Sequence, residues 1–170
     1  MRTDSSAYIA QDTSLCAEAY WRGLPLLRRG LTLGALQAFY VPYKYLVLSR
    51  DPQAYRQLGR LLAADASDLP ACAAAMQDLL AAALARPPSR AGNVNALQHI
   101  RGYLKRALDR SQQGELDACI ERYRVGGAPL AAPLQRLREH FERHPHDYIA
   151  RQLFMHCDEF SATPVQEPVS

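Results

Sequence analysis

Lysine is almost absent from this 170-residue chain, in which Lys44 and Lys105 are the only two lysines among 20 basic residues. Arginine supplies the rest of the positive charge, so a retained lysine indicates a position that favours a compact ammonium over a planar guanidinium. Lys44 is the more unusual of the two, because it lies in the most apolar stretch of the chain. A lysine there must reach a polar pocket or extend its amine to the surface.

Cysteine is also scarce, and its four positions (16, 72, 119 and 157) are far apart. None belongs to a CxxC pair or has a histidine at ligand spacing, so we expect no zinc or iron–sulfur site. His140 and His144 are one helical turn apart, but Pro145 follows and no acidic partner completes a metal-binding motif. The sequence therefore predicts neither a metal nor a cofactor.

Long apolar runs are missing as well. No segment is apolar for long enough to span a bilayer, and the polar residues 1–14 lack the apolar core of a signal peptide. A glycine-rich phosphate loop is not present either, since Gly126-Gly127 has the position of a helix C-cap. We expect a cytoplasmic protein that has no membrane partner.

The signals that are present belong to helices. No segment shows the alternation of a half-buried strand, whereas apolar stretches of helical period recur between capping residues. The sequence predicts an all-α fold, a single compact bundle of about seven helices with no β-sheet. We expect a flexible N-terminus at residues 1–14, one helical domain at 15–160 and a disordered tail at 161–170. The predicted core consists of Leu36, Phe39, Leu46, Leu58, Leu97, Ile100, Leu104, Ile120, Leu134, Leu137 and Phe141.

Residues 33–49 are predicted to form the central, buried helix, because apolar and aromatic side chains point in nearly all directions around its axis. Thr32 precedes this segment as its N-cap. Pro42 lies inside it and lacks the backbone N–H, so it should kink or break the helix just before Lys44.

A second predicted helix carries most of the candidate functional residues. It follows a stiff basic loop at residues 86–92, takes Asn93 as its N-cap and runs to about Arg110. A helical projection of residues 94–108 gives one apolar face, which must point to the core. The opposite stripe is formed by Asn95, His99, Tyr103 and Arg106, with Arg101 and Lys105 at its edge.

The charge in this region is strongly asymmetric, with six cations against one anion between positions 86 and 110. Cations neutralise phosphates, His and Tyr offer stacking faces, and Asn pairs with base edges, so this stripe has the chemistry of an RNA contact surface. A solvated helix face whose Tyr and His pack on a neighbouring helix is the alternative. The leading hypothesis is an RNA-binding module that uses Lys44, Arg90, Asn95, His99, Arg101, Tyr103, Lys105, Arg106 and Arg124.

Three motifs follow one another along the chain. Residues 38–46 (AFYVPYKYL) with 55–59 (YRQLG) form the first, and residues 93–105 (NVNALQHIRGYLK) form the second and most distinctive one. The third comprises Tyr123-Arg124, Pro129-Leu130, Pro133-Leu134, Leu137, His140 and Tyr148. In this order, covering roughly residues 33–153, they resemble the motifs of the YbgA-like family of small bacterial domains.

The resemblance implies a domain that occurs alone or as the C-terminal partner of an iron–sulfur desulfidase domain acting on thiolated uracil or thiouridine. In such fusions this domain is expected to hold tRNA, so the implied partners are RNA, tRNA above all, and a separate desulfidase protein. The desulfidase cysteines are absent here. Where the family tends to place histidines and an arginine before the lysine, this chain has Tyr40, Pro42 and Tyr43, which puts a catalytic set at these positions in doubt.

Two alternatives to RNA binding stay open. The chain could be a small enzyme acting on a nucleotide or modified nucleobase, with Lys44, His99 and Tyr103 as acid–base groups, or a protein-interaction partner of a desulfidase. A closed pocket joining Lys44 to His99 would favour the enzyme, and an open basic groove would favour RNA. In both cases we expect the Lys44 amine to lie in a polar pocket close to the stripe of Asn95, His99 and Tyr103. Nothing in the sequence indicates the oligomeric state.

Overall fold

The computed structural model of the protein describes residues 31–64 and 67–157, and this part of the chain contains helices and turns but no strand. The predicted all-α fold is confirmed. The helices are α1 (Leu33–Tyr40), α2 (Lys44–Arg50), α3 (Pro52–Ala63), α4 (Leu69–Leu84), α5 (Arg90–Arg101), α6 (Arg110–Arg124), α7 (Ala131–Arg143) and α8 (Asp147–Ala150), with 3₁₀ turns at Val41–Tyr43, Gly102–Leu104 and Leu153–His156. The terminal segments expected at 1–14 and 161–170 lie outside the described residues.

Several of these helices begin at polar caps that are visible in the sequence. The Thr32 hydroxyl and the Asp68 carboxylate each accept a hydrogen bond from the amide three residues later. Asp51 accepts from two amides of the first turn of α3, and Pro52 follows it at the first helical position. Each such bond satisfies an amide that the helix itself leaves unpaired.

The predicted interruption at Pro42 is confirmed. The chain leaves α1 at Tyr40, passes through the 3₁₀ turn Val41–Tyr43 and starts α2 at Lys44. Of the two halves, α2 is the buried one, since its residues from Tyr45 to Ser49 are all shielded from solvent.

One hydrophobic core unites the described helices. Nine of the eleven predicted core residues are buried in it, and the remaining two, Phe39 and Phe141, are partly buried and pack against it. Cys72 and Cys119 are buried free cysteines, as expected for small core residues. None of the helices in residues 31–64 and 67–157 has the length and apolar character needed to cross a membrane.

The prediction of one helix from Asn93 to about Arg110 is wrong. Helix α5 begins at Arg90, where the Ser89 hydroxyl accepts from the amide of Gly92 (2.9 Å), and it ends at Arg101. Asn93 is buried instead, and its side-chain amide donates to the Tyr123 hydroxyl at 2.9 Å.

The end of α5 also has a physical reason. A capping box of Asp109 and Gln112 starts α6, and the Gln113 side chain donates to the carbonyls of Lys105 (3.0 Å) and Leu108 (2.9 Å). The carbonyls of the connecting turn are therefore satisfied without a continuous helix. As a consequence, Tyr103 lies in a 3₁₀ turn rather than on the same helical stripe as its neighbours.

Candidate nucleic-acid interface

Lys44 starts α2 with its side chain half-buried among aromatic rings. Its Nζ lies 5.7 Å from the centre of the Tyr55 ring and 5.5 Å from the centre of the Tyr148 ring. Both distances fit a favourable interaction of an ammonium with a ring face. Among the salt bridges of the described residues, none involves Lys44.

Tyr103 stands beside this lysine and is held on three sides. The Tyr45 hydroxyl donates a hydrogen bond to the Tyr103 hydroxyl oxygen at 3.3 Å. The Tyr103 ring stacks on Tyr148, with 5.8 Å between centroids and 19° between planes, and meets the His146 ring edge-on at 4.8 Å. Tyr103 nevertheless keeps 40% of its surface exposed.

His99 completes the arrangement from α5. Its ring is tilted towards both Tyr45 and Tyr55, with 6.4 Å between centroids in each pair. We call the whole group the tyrosine cluster, and it consists of Lys44, Tyr45, Tyr55, His99, Tyr103, His146 and Tyr148. The Lys44 amine therefore lies next to residues that contact His99 and Tyr103, close to the expected location, although its surroundings are aromatic.

The cluster is assembled from four separate parts of the chain: α2, α3, the C-terminal end of α5 with its turn, and the α8 region. Gln152, which is fully buried, joins two of them. Its side-chain amide donates to the carbonyl of Val41 (2.9 Å), in the turn before Lys44, and to the carbonyl of Tyr148 (3.2 Å). A glutamine far along the chain thus positions Tyr148 over the lysine.

Burial and hydrogen bonding keep the groups of this site in defined protonation states. Burial, followed by the hydrogen bond with Tyr103, raises the pKa of Tyr45, so this phenol stays neutral. Burial lowers the pKa of Lys44, but the hydrogen bond to Tyr148 and the nearby phenols of Tyr148, Tyr55 and Tyr103 more than offset it, so the net pKa is raised. At physiological pH the site therefore contains the Lys44 ammonium and the neutral Tyr45 hydroxyl.

Two further cations follow the cluster directly. Lys105 and Arg106 come after the turn that contains Tyr103, both are exposed, and neither forms a salt bridge with another described residue. Asn95, one turn before His99 on α5, is half-buried. The exposed Tyr103 ring is thus followed in the chain by two exposed cations, in addition to the nearby Lys44.

The other predicted contact residues lie elsewhere or are already engaged. The Arg90 guanidinium donates to the Tyr123 carbonyl and lies 4.8 Å from the centre of that ring, so it closes the C-terminal end of α6. Arg101 forms a salt bridge with Asp117 (2.5 Å), and Arg124 forms one with Glu121 (2.6 Å).

A groove of about 670 Å³ runs between α5 and α6 beside these pairs. Its lining includes Arg101, Arg124, Asp117 and Glu121, so two guanidinium groups face two carboxylates. Because Arg101 pairs with Asp117 and Arg86 pairs with Asp51, the excess of cations seen between positions 86 and 110 of the sequence is partly neutralised in the fold.

The sequence does not predict that Tyr45, Tyr55, His146 and Tyr148 belong to one site. The available signal was the choice of tyrosine over phenylalanine, nine residues against four, which favours positions where a ring needs a hydroxyl. These four side chains come together only through tertiary packing. Within the described residues, no group of three or more His, Cys, Asp or Glu side chains is arranged to hold a metal ion.

Comparison with known proteins identifies relatives but no activity. The model of the family described as "Protein of unknown function (DUF1722)" matches residues 44–157. The chain is also 29% identical to the uncharacterized protein YbgA of Escherichia coli (strain K12) over 131 residues, which are 76% of this chain and 78% of that protein. No solved structure matches the chain significantly. The matched region contains every member of the tyrosine cluster.

Proposed function

We propose that this chain, which belongs to the DUF1722 family of proteins of unknown function, is an RNA-binding domain that stacks a base on Tyr103 and contacts phosphates through Lys44, Lys105 and Arg106. Transfer RNA is the first ligand to test, because the motif resemblance implies a role in holding tRNA. Such a ligand would place the protein in the cytoplasm. The observation that carries the proposal is the exposed Tyr103 ring, which contacts Tyr45, Tyr148 and His146 and is followed in the chain by the exposed Lys105 and Arg106.

Tyr103 is one of only two large apolar side chains that the described part of the chain leaves strongly exposed, the other being Val125. Its contacts with Tyr45, Tyr148 and His146 fix the ring before any ligand arrives. A fixed aromatic surface loses little conformational entropy on binding. Stacking of a base on such a ring contributes about 1–3 kcal/mol and is tolerant of sequence.

The cations supply the second half of the interaction. Each phosphate that Lys44, Lys105 or Arg106 neutralises would release condensed counterions, which makes binding favourable at low salt and weaker as salt rises. The raised pKa of Lys44 keeps its charge in place for this purpose. Such contacts position the RNA, whereas the stacked ring orients a base.

The protonation states favour binding over acid–base catalysis. A general base must be unprotonated near the operating pH, and the raised pKa of Lys44 opposes this. Tyr45 likewise resists ionisation, because burial and its hydrogen bond raise its pKa. Lys44 is thus suited to donating hydrogen bonds to a ligand, and neither Lys44 nor Tyr45, whose hydroxyl donates to Tyr103, is suited to removing the ligand's protons.

Two variants of one residue test the stacking contact. Tyr103→Ala should weaken binding of unfractionated tRNA by about 5- to 150-fold, the equivalent of the stacking energy, while leaving the salt dependence nearly unchanged. Tyr103→Phe keeps the ring and loses only the hydroxyl, so it should bind more tightly than Tyr103→Ala. Val125→Ala removes the other exposed apolar side chain and serves as the matched control. Equal binding by Tyr103→Ala and the wild type would contradict the proposal.

The charged contacts are tested by salt titration. Replacing Lys105 and Arg106 together by Ala should lower the slope of log affinity against log salt by about 0.7 to 0.9 for each phosphate that these two side chains neutralise. Replacing Arg136 and Arg122 together by Ala removes the same charge from α7 and α6, and should change the slope less. Binding that does not respond to salt would be incompatible with phosphate contacts.

A further inference from the structure

The half-buried Lys44 amine has no counter-charge in the described structure. The groups that face it are the phenols of Tyr55, Tyr103 and Tyr148, and neither α3, α5 nor the α8 region contributes a carboxylate to a salt bridge with it. Taking a charge partly out of water is costly unless an opposite charge compensates it. Cation–π contacts offset only part of this cost. Within residues 31–64 and 67–157, the surroundings of Lys44 therefore lack an anion.

A second polar group in the same place has no partner either. Tyr40 is only 6% exposed, and within the described residues its hydroxyl is buried without a hydrogen bond. Burial raises the pKa of Tyr40, and the phenols of Tyr55 and Tyr148, whose rings flank the Lys44 amine, raise it further. A buried hydroxyl without a partner costs about 1–3 kcal/mol, and an acceptor atom of a ligand would remove that cost.

The hydroxyl of Tyr103 adds a donor at the rim. Because the Tyr45 hydroxyl donates to the Tyr103 oxygen, the O–H of Tyr103 is left to donate outwards. The pocket thus combines a positive charge with two hydroxyl donors, one buried and one exposed. This set matches an oxyanion that offers several acceptor oxygens.

We propose that the pocket formed by Tyr40, Lys44 and Tyr103 binds the terminal phosphate monoester of an RNA chain, so that the domain recognises an RNA end. The inference rests on the proposed RNA binding and specifies the ligand. A monoester offers three oxygens and close to two negative charges at neutral pH. An internal diester offers only two non-bridging oxygens and one charge, and its chain continues on both sides of a pocket that the Tyr55 and Tyr148 rings flank.

The position of Tyr103 supports an end rather than free phosphate as the ligand. The same side chain contributes a hydroxyl to the pocket and an exposed ring beside it. A nucleotide with its phosphate on Lys44 can therefore place its base against the Tyr103 ring, and the following phosphates reach Lys105 and Arg106. Inorganic phosphate would use only the first of these contacts.

The test compares short single-stranded RNAs of one sequence that carry a 5′-phosphate, a 3′-phosphate or hydroxyl groups at both ends. With the full chain, one of the two phosphorylated RNAs should bind about tenfold tighter or more than the hydroxyl-ended RNA, as expected for a charge-assisted contact. Lys44→Met should remove this preference, so that it weakens the phosphorylated RNA about tenfold more than the hydroxyl-ended RNA. Lys105→Met, the matched control, should weaken all three RNAs alike.

Tyr40→Phe keeps the test decisive even if Lys44→Met fails to fold. It removes only the unpartnered hydroxyl, so the free protein should unfold at the same temperature or higher, while the preference for the phosphorylated end should fall severalfold. A wild-type preference in Tyr40→Phe would overturn the role of this hydroxyl in the pocket.

The outcomes separate the inference from the function on which it rests. Equal binding of all three RNAs would overturn recognition of an RNA end and leave RNA binding intact. No binding of any RNA at low salt would overturn the proposed function itself. A competition experiment identifies the source of the phosphate. If a nucleoside monophosphate inhibits binding of the phosphorylated RNA at the concentration at which that RNA saturates the protein, the ligand is a free nucleotide and recognition of an RNA end is overturned.

Discussion

Helices α2 and α5 meet at two places that differ sharply. Near the end of α2, the backbones are so close that a Cβ on Gly92 would lie 2.0 Å from the Ser49 carbonyl oxygen. At the start of α2, Tyr45 meets His99 and the turn after α5 through rings and hydroxyl groups, and Tyr103 stays partly exposed. The end of α2 meets the start of α5, and the start of α2 meets the end of α5, so the two helices are antiparallel. We call the close backbone contact between Ser49 and Gly92 the seam, and the partly exposed contact of Tyr45 with His99 and Tyr103 the open site.

The difference indicates that the two contacts of this helix pair have different roles, since one fixes the helices relative to each other and the other presents side chains to a ligand. A backbone contact without side chains between the helices leaves little freedom of movement, since close-packed interiors transmit strain rather than absorb it. The seam at Ser49 and Gly92 therefore fixes where the far end of α5 emerges beside Lys44. Preorganisation of this kind is what a binding surface needs if its rings are to be fixed before the ligand arrives.

The largest effect is expected at the seam. Gly92→Ala places a methyl group against the backbone oxygen of Ser49, which no side-chain rotation can relieve, so the free energy of unfolding should fall by about 3 kcal/mol. Gly114→Ala, in the interior of α6 with open space around it, should instead stabilise the protein by about 0.5–1 kcal/mol. Urea unfolding of both variants measures this, and equal stabilities would break the comparison.

The buried hydrogen bond next to the seam gives the second effect. Tyr123→Phe removes the hydroxyl that accepts from Asn93 and leaves the amide of Asn93 buried, which should lower the free energy of unfolding by about 1–3 kcal/mol. The ring that Arg90 contacts is kept. RNA affinity measured well below the unfolding temperature should not change, and a large loss of affinity would contradict the separation of seam from site.

The sequence predicted the seam less well than the helices around it. Caps at Thr32, Asp51 and Asp68 act locally, so they are readable from neighbouring residues, and the interruption at Pro42 has a local cause too. Asn93 is of a residue type that favours helix N-caps, but its side-chain amide donates a hydrogen bond to Tyr123, thirty positions along the chain. The residues next to Asn93 in the sequence therefore do not indicate this hydrogen bond.

The site shows the same limit. Lys44, His99 and Tyr103 stand out through residue type and spacing, whereas the pairing of Arg101 with Asp117 could not be predicted without knowing that α5 and α6 pack together. The positions of the rings that surround Lys44 depend on helices that meet only in the folded state. Residue chemistry thus indicated part of the site, and packing determined its extent.

Alkaline pH should affect the open site before the seam. Burial and the hydrogen bond with Tyr103 raise the pKa of Tyr45 in the folded state, so its contribution to stability is complete below the pKa of an unfolded tyrosine, about 10, and is lost as pH rises above it. Tyr40 and Lys44, whose pKa values are also raised, act in the same direction. Unfolding free energies measured from about pH 8 to about pH 11 should fall less steeply for Tyr45→Phe than for the wild type. Identical slopes would indicate that this phenol titrates as it does in the unfolded chain.

The smallest effect concerns the groove between α5 and α6. Arg101 and Arg124 already form salt bridges with Asp117 and Glu121, and the hydrogen bond from Arg124 lowers the pKa of Glu121, so each guanidinium has a carboxylate partner. Phosphates gain little from such neutralised positions. Replacing both arginines by Gln should therefore reduce the salt dependence of RNA binding less than replacing Lys105 and Arg106 by Gln, although the change in formal charge is the same. The reverse order would move the RNA interface from the tyrosine cluster into the groove.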